Sequence, residues 1–211
     1  MGKIFIISGL SGSGKGTLVN LLREDEEAMK QVVIITSYTT RERRNETDDY
    51  TFVSKEEFQQ LIDNGKLLEW NEYQNNYYGT PLDDVQRVLA EGKTPLLEID
   101  YHGYLSVKRI YKNIVEGVFV VTPNAETLLE RLVKRGTETK EKIISRLQIA
   151  SDELQYVKVY DHCLINDNLQ EAYQKFKDLV LTDLPGDPPI DIEEFRKEIA
   201  AAVEQLKNEE E

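Results

Sequence analysis

A glycine-rich segment near the N-terminus has the spacing of a phosphate-binding loop. Residues 9–17 read Gly-Leu-Ser-Gly-Ser-Gly-Lys-Gly-Thr and match the pattern G-x-x-x-x-G-K. Glycines at this spacing let consecutive backbone N–H groups curve around a phosphate, and the lysine amine bridges the outer phosphates of a nucleotide. The residues expected to bind the phosphates are Ser11, Gly12, Ser13, Gly14, Lys15, Gly16 and Thr17.

The loop departs from the pattern at one position. A Ser or Thr that holds Mg²⁺ is expected directly after Lys15, but Gly16 stands there and Thr17 follows one residue later. We therefore expect Mg²⁺ to be held mostly through water and substrate phosphates. The alternative is a Gly/Ser-rich turn with an exposed lysine. A buried strand predicted before the loop and a helix predicted after it favour phosphate binding.

Two further charged features lie after predicted strands. Asp100 closes the apolar strand 94–99, where a carboxylate can position Mg²⁺ through water, although aspartate is also a common turn residue. Arg41 and Arg44 lie in a polar segment after the strand 31–37, and two guanidinium groups suit a phosphate. Taken alone, these arginines equally fit a solvated run of charges.

The composition excludes several classes of protein. Of 211 residues, 26 are basic and 39 acidic, and the net charge of −13 argues against binding to nucleic acid or an anionic membrane. The apolar runs hold only a few residues, far fewer than the about 20 that a membrane span needs. The single cysteine, Cys163, excludes a disulfide framework and a cysteine-rich metal site. We expect a cytoplasmic protein.

Apolar strands alternate with amphipathic helices along most of the chain. Strands are predicted at 3–8, 31–37, 94–99, 115–122 and 162–165, and helices at about 15–23, 80–91, 103–111, 124–135, 139–156 and 168–181. This order predicts an α/β fold with a parallel sheet covered on both faces. Residues 38–79 interrupt the alternation and are expected to form an insert with a capping box at Ser54 and with Trp70 in its core.

The C-terminal segment differs from the rest of the chain. Residues 184–211 contain nine acidic and three basic residues, a net charge of −6. A Pro/Gly cluster at 184–189 precedes apolar residues at helical spacing between Ile192 and Leu206. We expect a helix behind a hinge, docked on its own domain or, as the alternative, forming a dimer contact.

Further short blocks follow the glycine-rich loop. They are Ser37–Arg44, Asp49–Ser54, Glu69–Trp70, Asn76–Thr80, Glu98–Asp100, Arg135–Thr139 and Ile165–Asp167. In this order they resemble the guanylate kinases over about residues 1–182. The resemblance implies a P-loop NTPase-type sheet with a mixed α/β GMP-binding insert and a helical lid. It also implies transfer of the γ-phosphoryl group of ATP to GMP or dGMP, with Mg²⁺, by direct in-line displacement.

The resemblance implies a role for each matching residue. ATP would be bound by the glycine-rich loop, with Asn166 and Asp167 near the adenine. The GMP phosphate would be held by Arg41, Arg44, Tyr50 and Tyr78. Guanine would be read by Ser37, Glu69 and Thr80, with Asp100 near the base and the metal. The residues expected to be catalytic are Lys15, Arg41 and the lid arginines Arg131, Arg135 and Arg146.

The chemistry of guanine agrees with this assignment. Guanine offers N1–H and an N2 amine as paired donors, and one carboxylate such as Glu69 accepts both. Adenine has an acceptor at N1 and would leave the carboxylate badly paired. Lid arginines spaced four residues apart share a helix face and can meet the charge of the transferring phosphoryl group.

The expected division is a kinase domain at 1–183 and an acidic hinge plus helix at 184–211. The core would comprise 1–37, 80–123 and 157–183, the insert 38–79 and the lid about 124–156.

One alternative function is a non-catalytic guanylate-kinase-like module, although Lys15 and the lid arginines argue against it. Another is a kinase for a different small phosphorylated acceptor, because the loop before Tyr50 is short. A monomer and a homodimer are both compatible with the sequence.

Overall fold

The fold is described from a computed structural model of the chain. The structure describes residues 2–43, 49–73, 75–134, 139–182 and 184–208. Its strands are β1 (Ile4–Gly9), β2 (Val32–Ile34), β3 (Tyr38–Thr39), β4 (Thr51–Phe52), β5 (Leu67–Tyr73), β6 (Asn76–Pro81), β7 (Thr94–Glu98), β8 (Val115–Val121) and β9 (His162–Ile165). Its α-helices are α1 (Lys15–Glu24), α2 (Glu26–Met29), α3 (Lys55–Asp63), α4 (Leu82–Ala90), α5 (Tyr101–Tyr111), α6 (Ala125–Lys134), α7 (Lys140–Glu153), α8 (Leu169–Leu181) and α9 (Ile192–Asn208).

The predicted parallel sheet is confirmed. In the described part of the chain it has five strands in the order β2-β7-β1-β8-β9. Val32 pairs with Thr94 in β2 and β7, and Val118 pairs with His162 in β8 and β9. The strands are short runs of apolar, largely β-branched residues, which suits a sheet buried on both faces. Parallel strands place their carboxyl ends at one edge, where the polar loops follow.

A smaller sheet occupies the segment that was expected to be an insert. Its order is β4-β3-β6-β5, with β5 and β6 forming an antiparallel hairpin and β3 pairing parallel to β4. Tyr38 and Thr39, in the polar segment after the predicted strand 31–37, pair with Gly79 and Tyr78. Strands of two residues, such as β3 and β4, carry too little hydrophobic pattern to be predicted from sequence.

Contacts between Cα atoms divide the chain into two compact units. The first comprises Met1–Ile6 and Glu26–Glu116, and holds the small sheet and helices α2–α5. Phe58, Val85, Val88 and Tyr104 are fully buried in its core. The second comprises Ile7–Asp25 and Gly117–Glu211, and holds the glycine-rich loop and helices α1 and α6–α9. Its core includes Leu18, Leu128, Leu147 and Phe176.

Side-chain caps set the beginnings of several helices. Ser54 forms the predicted capping box with Glu57 at the start of α3, where Ser54 Oγ accepts from Glu57 N at 3.1 Å. The Asp100 carboxylate accepts from Gly103 N at 2.9 Å and caps α5. Such caps satisfy backbone N–H groups that have no partner within the helix. Asp100 is therefore fixed at the carboxyl end of β7.

The expectation that Trp70 lies in the core is wrong, because its side chain is 47% exposed. Neighbouring residues of a strand face opposite sides. Glu69 is buried, so Trp70 on the same strand faces the other side. There the rings of Trp70 and Tyr77 pack edge to face, with their centres 6.0 Å apart.

The acidic C-terminal helix docks on its own chain, as expected. Helix α9 packs against α6 and α7. It buries Ile192, Phe195, Ile199 and Val203 on one face. Each fully buried side chain of this kind contributes about 1.5–3 kcal/mol from the hydrophobic effect. No helix in the described ranges is long and apolar enough to cross a membrane.

Candidate functional site

The glycine-rich loop connects β1 to α1 and contains glycines in left-handed backbone conformations. Gly12 and Gly14 have φ values of 96° and 90°, in the left-handed region that favours glycine. Gly9 lies so close to β8 that a Cβ would sit 2.2 Å from the Val120 oxygen. Lys15 begins α1, and its Nζ donates to the carbonyl oxygens of Gly9 at 2.7 Å and Leu10 at 3.1 Å. The amine therefore lies over the loop.

Asn166 supports this loop from the end of β9. Its Nδ2 donates to Ser13 O at 2.7 Å, and a Cβ on Gly14 would lie 2.4 Å from the same nitrogen. Asn166 is only 3% exposed, and both Ser13 Oγ and Asn166 Oδ1 are buried and accept or donate no hydrogen bond among the residues that the structure describes. The residue expected near the adenine thus lies beneath the loop and fixes the loop's backbone.

Two of the three arginines that were expected to belong to a lid reach the same loop. Arg131 on α6 donates to Asp167 O at 3.2 Å and, at the longer distance of 3.5 Å, to Ser13 O. Arg146 on α7 donates to Ser11 Oγ at 2.9 Å. Arg135 lies outside the described residues. Two guanidinium groups and one amine therefore lie around the glycine-rich loop, a concentration of positive charge suited to a polyphosphate.

A buried carboxylate lies on the small sheet. Glu69 on β5 is paired with Thr80 on β6, and Thr80 Oγ1 donates to Glu69 Oε1 at 2.5 Å. Glu69 is 9% exposed and Thr80 is fully buried. Burial raises the pKa of Glu69 to about 7, the negative charge of Asp100 adds to this, and the hydrogen bond from Thr80 opposes it. A carboxylate held in this way is suited to accept from a ligand that brings its own donors.

Helix α5 begins against this carboxylate. A Cβ on Gly103 would lie 2.8 Å from Glu69 Oε2, so a larger side chain there would displace the carboxylate. Asp100, three residues earlier, accepts from Asn71 Nδ2 at 2.7 Å through its second oxygen. Because Asn71 follows Glu69 by two residues, both lie on one face of β5. Both Asp100 oxygens therefore accept hydrogen bonds.

Arg41, Tyr50 and Tyr78, which the resemblance assigned to the GMP phosphate, lie in contact through Tyr50. The Arg41 guanidinium lies 5.5 Å from the centre of the Tyr50 ring, and the rings of Tyr50 and Tyr78 meet edge to face at 5.8 Å. The structure therefore brings Tyr50 to the other two despite the short loop before it. A cation beside two phenol groups can hold a phosphate with one full positive charge.

The remaining predicted residues have mixed outcomes. Ser37 is half-buried, and its carbonyl accepts from Thr51 N at 2.9 Å, which joins β4 to the start of β3. Thr17 is exposed in the first turn of α1. Arg44 lies outside the described residues. Within the described ranges, no group of three or more His, Cys, Asp or Glu side chains is placed to hold a metal.

Sequence reasoning missed three contributors to the surroundings of the glycine-rich loop and of Glu69. They are Asn71, Gly103 and the loop-supporting role of Asn166. The position of Asn71, two residues after Glu69 on a predicted strand, was a usable signal. The contact between Asn166 and Ser13 joins residues 153 positions apart, and no local pattern indicates it.

Comparisons with known proteins show the family to which this chain is related. A family model described as guanylate kinase matches residues 1–183. The chain is 42% identical over 187 residues to a guanylate kinase of Oceanobacillus iheyensis, covering 86% of this chain and 88% of the relative. It is also 42% identical over 182 residues to a guanylate kinase of Mycoplasmoides gallisepticum, covering 85% and 92%.

A solved structure supports the same relationship. The crystal structure of guanylate kinase from Anaplasma phagocytophilum superposes with a TM-score of 0.67 at 28% identity, covering 85% of this chain and 84% of that one. The family model matches most of the chain, and both relatives are more than 40% identical to it. The chain belongs to the guanylate kinase family.

Proposed function

We infer that this protein is a guanylate kinase that transfers the γ-phosphoryl group of ATP to GMP, giving ADP and GDP. The observation that carries this inference is the buried Glu69 carboxylate, held by Thr80 in a chain of this family. A carboxylate without an internal cation is costly to bury, and paired donors on a ligand lower that cost. Guanine supplies such donors.

We propose that guanine recognition uses Glu69, Thr80 and Ser37. Glu69 accepts from N1–H and the N2 amine, while Thr80 keeps the carboxylate in place. A hydroxyl at Ser37 donates to the guanine O6. Adenine places an acceptor at N1, which leaves the carboxylate badly paired and excludes AMP. A sugar lacking the 2′-hydroxyl does not affect these contacts, so dGMP is also an acceptor.

We propose that the GMP phosphate is held by Arg41, Tyr50, Tyr78 and Arg44. The grouping of the first three supports this assignment. Phenol groups donate hydrogen bonds without adding charge, so the phosphate keeps its negative charge and stays nucleophilic. No general base is needed, because the attacking phosphate oxygen is already an anion.

On the donor side, the proposed ligands of ATP are the backbone of Ser11–Thr17 and Lys15. The contacts of Lys15 with Gly9 O and Leu10 O support its position over the loop. The contacts of Arg131 and Arg146 with the loop support the proposal that they meet the charge of the transferred group, together with Arg135. Asn166 and Asp167 complete the donor side, with Asn166 fixing the loop.

We propose Mg²⁺ as the cofactor, bound mainly through the ATP phosphates and water. Both Asp100 oxygens accept hydrogen bonds within the protein, so this carboxylate suits contact through water better than direct coordination. The exposed Thr17 hydroxyl in the first turn of α1 is compatible with the same arrangement. When bound, the metal neutralises phosphate charge and orients the transferred group.

The proposed division into a core, an insert at 38–79 and a lid at about 124–156 follows the same roles. A cytoplasmic location is proposed from the single buried cysteine and from the nucleotide substrates. A monomer and a homodimer both remain compatible with these proposals.

The function is tested by measuring ADP release from ATP and Mg²⁺ with GMP, dGMP, AMP, CMP, UMP or no acceptor. Lys15→Ala serves as the blank. We expect rapid turnover with GMP and dGMP, and at least 100-fold slower turnover with the others. Turnover with another acceptor would overturn the guanine assignment. No turnover by folded protein that still binds GMP would overturn the enzymatic function.

A further inference from the structure

The C-terminal strap (residues 184–208) is anchored at its start to the edge strand β9. Asp187 N donates to Cys163 O at 2.8 Å in an antiparallel bridge. The Asp187 side chain accepts from Ile165 N at 2.8 Å and pairs with Lys175 at 2.6 Å. The backbone lies so close to β9 that a Cβ on Gly186 would sit 2.5 Å from Cys163 O. The start of the strap is therefore firmly seated.

The second half of the strap, α9, is anchored to α6 and α7 by an apolar face and two charged side chains. Glu198 Oε2 accepts from Ala125 N, the first residue of α6, at 2.9 Å. Arg196 Nε donates to Ser151 O in the last turn of α7 at 3.0 Å. A carboxylate at a helix N-terminus and a guanidinium at a helix C-terminus both satisfy unpaired backbone groups and complement the helix dipole.

The two helices held by the strap are the ones that carry the arginines at the phosphate loop. Arg131 follows Ala125 by six residues on α6, about 9 Å along the helix axis. Arg146 precedes Ser151 by five residues on α7. Both arginines contact the loop, at Ser13 and Ser11 respectively. A tilt of either helix at its anchored end would move its arginine away from the loop.

We propose that Glu198 and Arg196 are positioning residues for the phosphoryl-transfer reaction. They hold α6 and α7 so that Arg131 and Arg146 stand at the phosphate loop before ATP binds. Placing these groups in advance reduces the entropy lost when the ATP site is assembled. The match to the family model ends at residue 183, and the strap begins after it. The contacts that hold α6 and α7 therefore come from residues outside the segment that matches the family. The proposal rests on the proposed function.

The first test separates positioning from general stability by steady-state kinetics. We expect Glu198→Ala and Arg196→Ala each to raise the KM for ATP about 3- to 10-fold, the usual effect of losing one charged hydrogen bond. The double variant should show a larger increase, and the KM for GMP should stay within twofold of the wild-type value. Glu198→Gln keeps an acceptor for Ala125 N and should restore most of the ATP affinity. Glu204→Ala, an exposed carboxylate on the same helix, is the matched control.

An unchanged KM for ATP in the double variant would overturn the proposal. So would an equal rise in both KM values, or a loss of active protein at unchanged KM, since these indicate a structural role only. A wild-type protein without kinase activity would instead refute the proposed function.

The second test needs no activity. Cys163 is the only cysteine in the sequence, and it is buried beneath the start of the strap. A disulfide reagent should modify Cys163 at least ten times faster in a chain that ends at residue 183. If the truncated chain does not fold, the full chain with Gly186→Val takes its place and should show the same increase. A rate equal to that of the full chain, in folded protein, would show that the strap is not seated on β9 and would overturn the anchoring on which the proposal depends.

Discussion

The Thr80 hydroxyl donates a 2.5 Å hydrogen bond to the Glu69 carboxylate across the antiparallel pair β5 and β6. This one contact holds a buried acid whose second oxygen faces Gly103, where any larger side chain would displace it. The hydrogen bond favours the ionised form of Glu69, and burial favours the neutral form. Because burial prevails, the pKa of Glu69 is about 7, and the acid titrates near neutral pH.

GMP binding should therefore depend on pH through Glu69. Only the ionised carboxylate accepts from both guanine donors, so affinity should fall as the pH drops below about 7, by up to about tenfold per pH unit. Calorimetry in buffers of different ionisation enthalpy should show proton release on binding at pH 6 and little release at pH 9. The GMP phosphate also titrates. In Glu69→Gln the carboxyl group is absent, so the pH dependence that remains measures the contribution of the phosphate. Identical pH profiles for the two proteins would contradict this prediction.

Glu69 should also lower stability as the pH rises. Its pKa is raised from 4.5 to about 7 in the folded state, so the folded protein keeps this proton between those values while the unfolded chain loses it. The free energy of unfolding of wild type should therefore fall, relative to Glu69→Gln, by roughly 3 kcal/mol between pH 4.5 and pH 8. Urea unfolding at both pH values measures the difference, in which other groups cancel. If the difference in the free energy of unfolding between the two proteins is the same at both pH values, ionisation of Glu69 does not destabilise the folded protein.

Thr80→Val keeps the volume of the side chain and removes the hydroxyl. Glu69 then loses a donor that favours its ionised form, so its pKa should rise and the KM for GMP at pH 7.5 should increase about tenfold. Thr80→Ser retains the hydroxyl and should stay close to wild type. Equal KM values for GMP in wild type and Thr80→Val would mean that Thr80 does not hold Glu69 for the ligand.

Gly14 and Gly16 offer a matched pair in the phosphate loop. Gly14→Ala introduces a methyl group at φ 90°, 2.4 Å from Asn166 Nδ2, and should destabilise the protein by about 1–3 kcal/mol. Gly16→Ala introduces the same group into open space inside α1 and should raise stability by about 0.5–1 kcal/mol. Thermal unfolding of both variants tests the pair. Similar changes would show that the left-handed Gly14 conformation and its contact with Asn166 are not required.

Local patterns were sufficient to predict the main sheet and several local features of the chain. The strand His162–Ile165 and the capping box of Ser54 with Glu57 were predicted within a residue, because each depends on near neighbours in sequence. Arg41, Tyr50 and Tyr78, which only the resemblance between short blocks named together, also lie in contact through Tyr50.

The features that were missed depend on distant parts of the chain. The contact of Asn71 with Asp100 joins residues 29 positions apart, and that of Asn166 with Ser13 joins residues 153 apart. Trp70 was wrongly assigned to the core because large aromatic residues are usually buried. Its neighbour Glu69 takes the buried face of β5 instead, so burial on this strand does not follow hydrophobicity.

The central claim is that the Glu69 carboxylate selects guanine, and it is tested most directly by comparing GMP with IMP as acceptors. IMP keeps the N1–H donor and lacks the N2 amine. For wild type, kcat/KM should be about 10- to 100-fold higher with GMP than with IMP, the value of one hydrogen bond to a charged group. In Glu69→Gln that ratio should fall to within a fewfold of unity. A ratio unchanged by Glu69→Gln would contradict the account and place guanine recognition elsewhere.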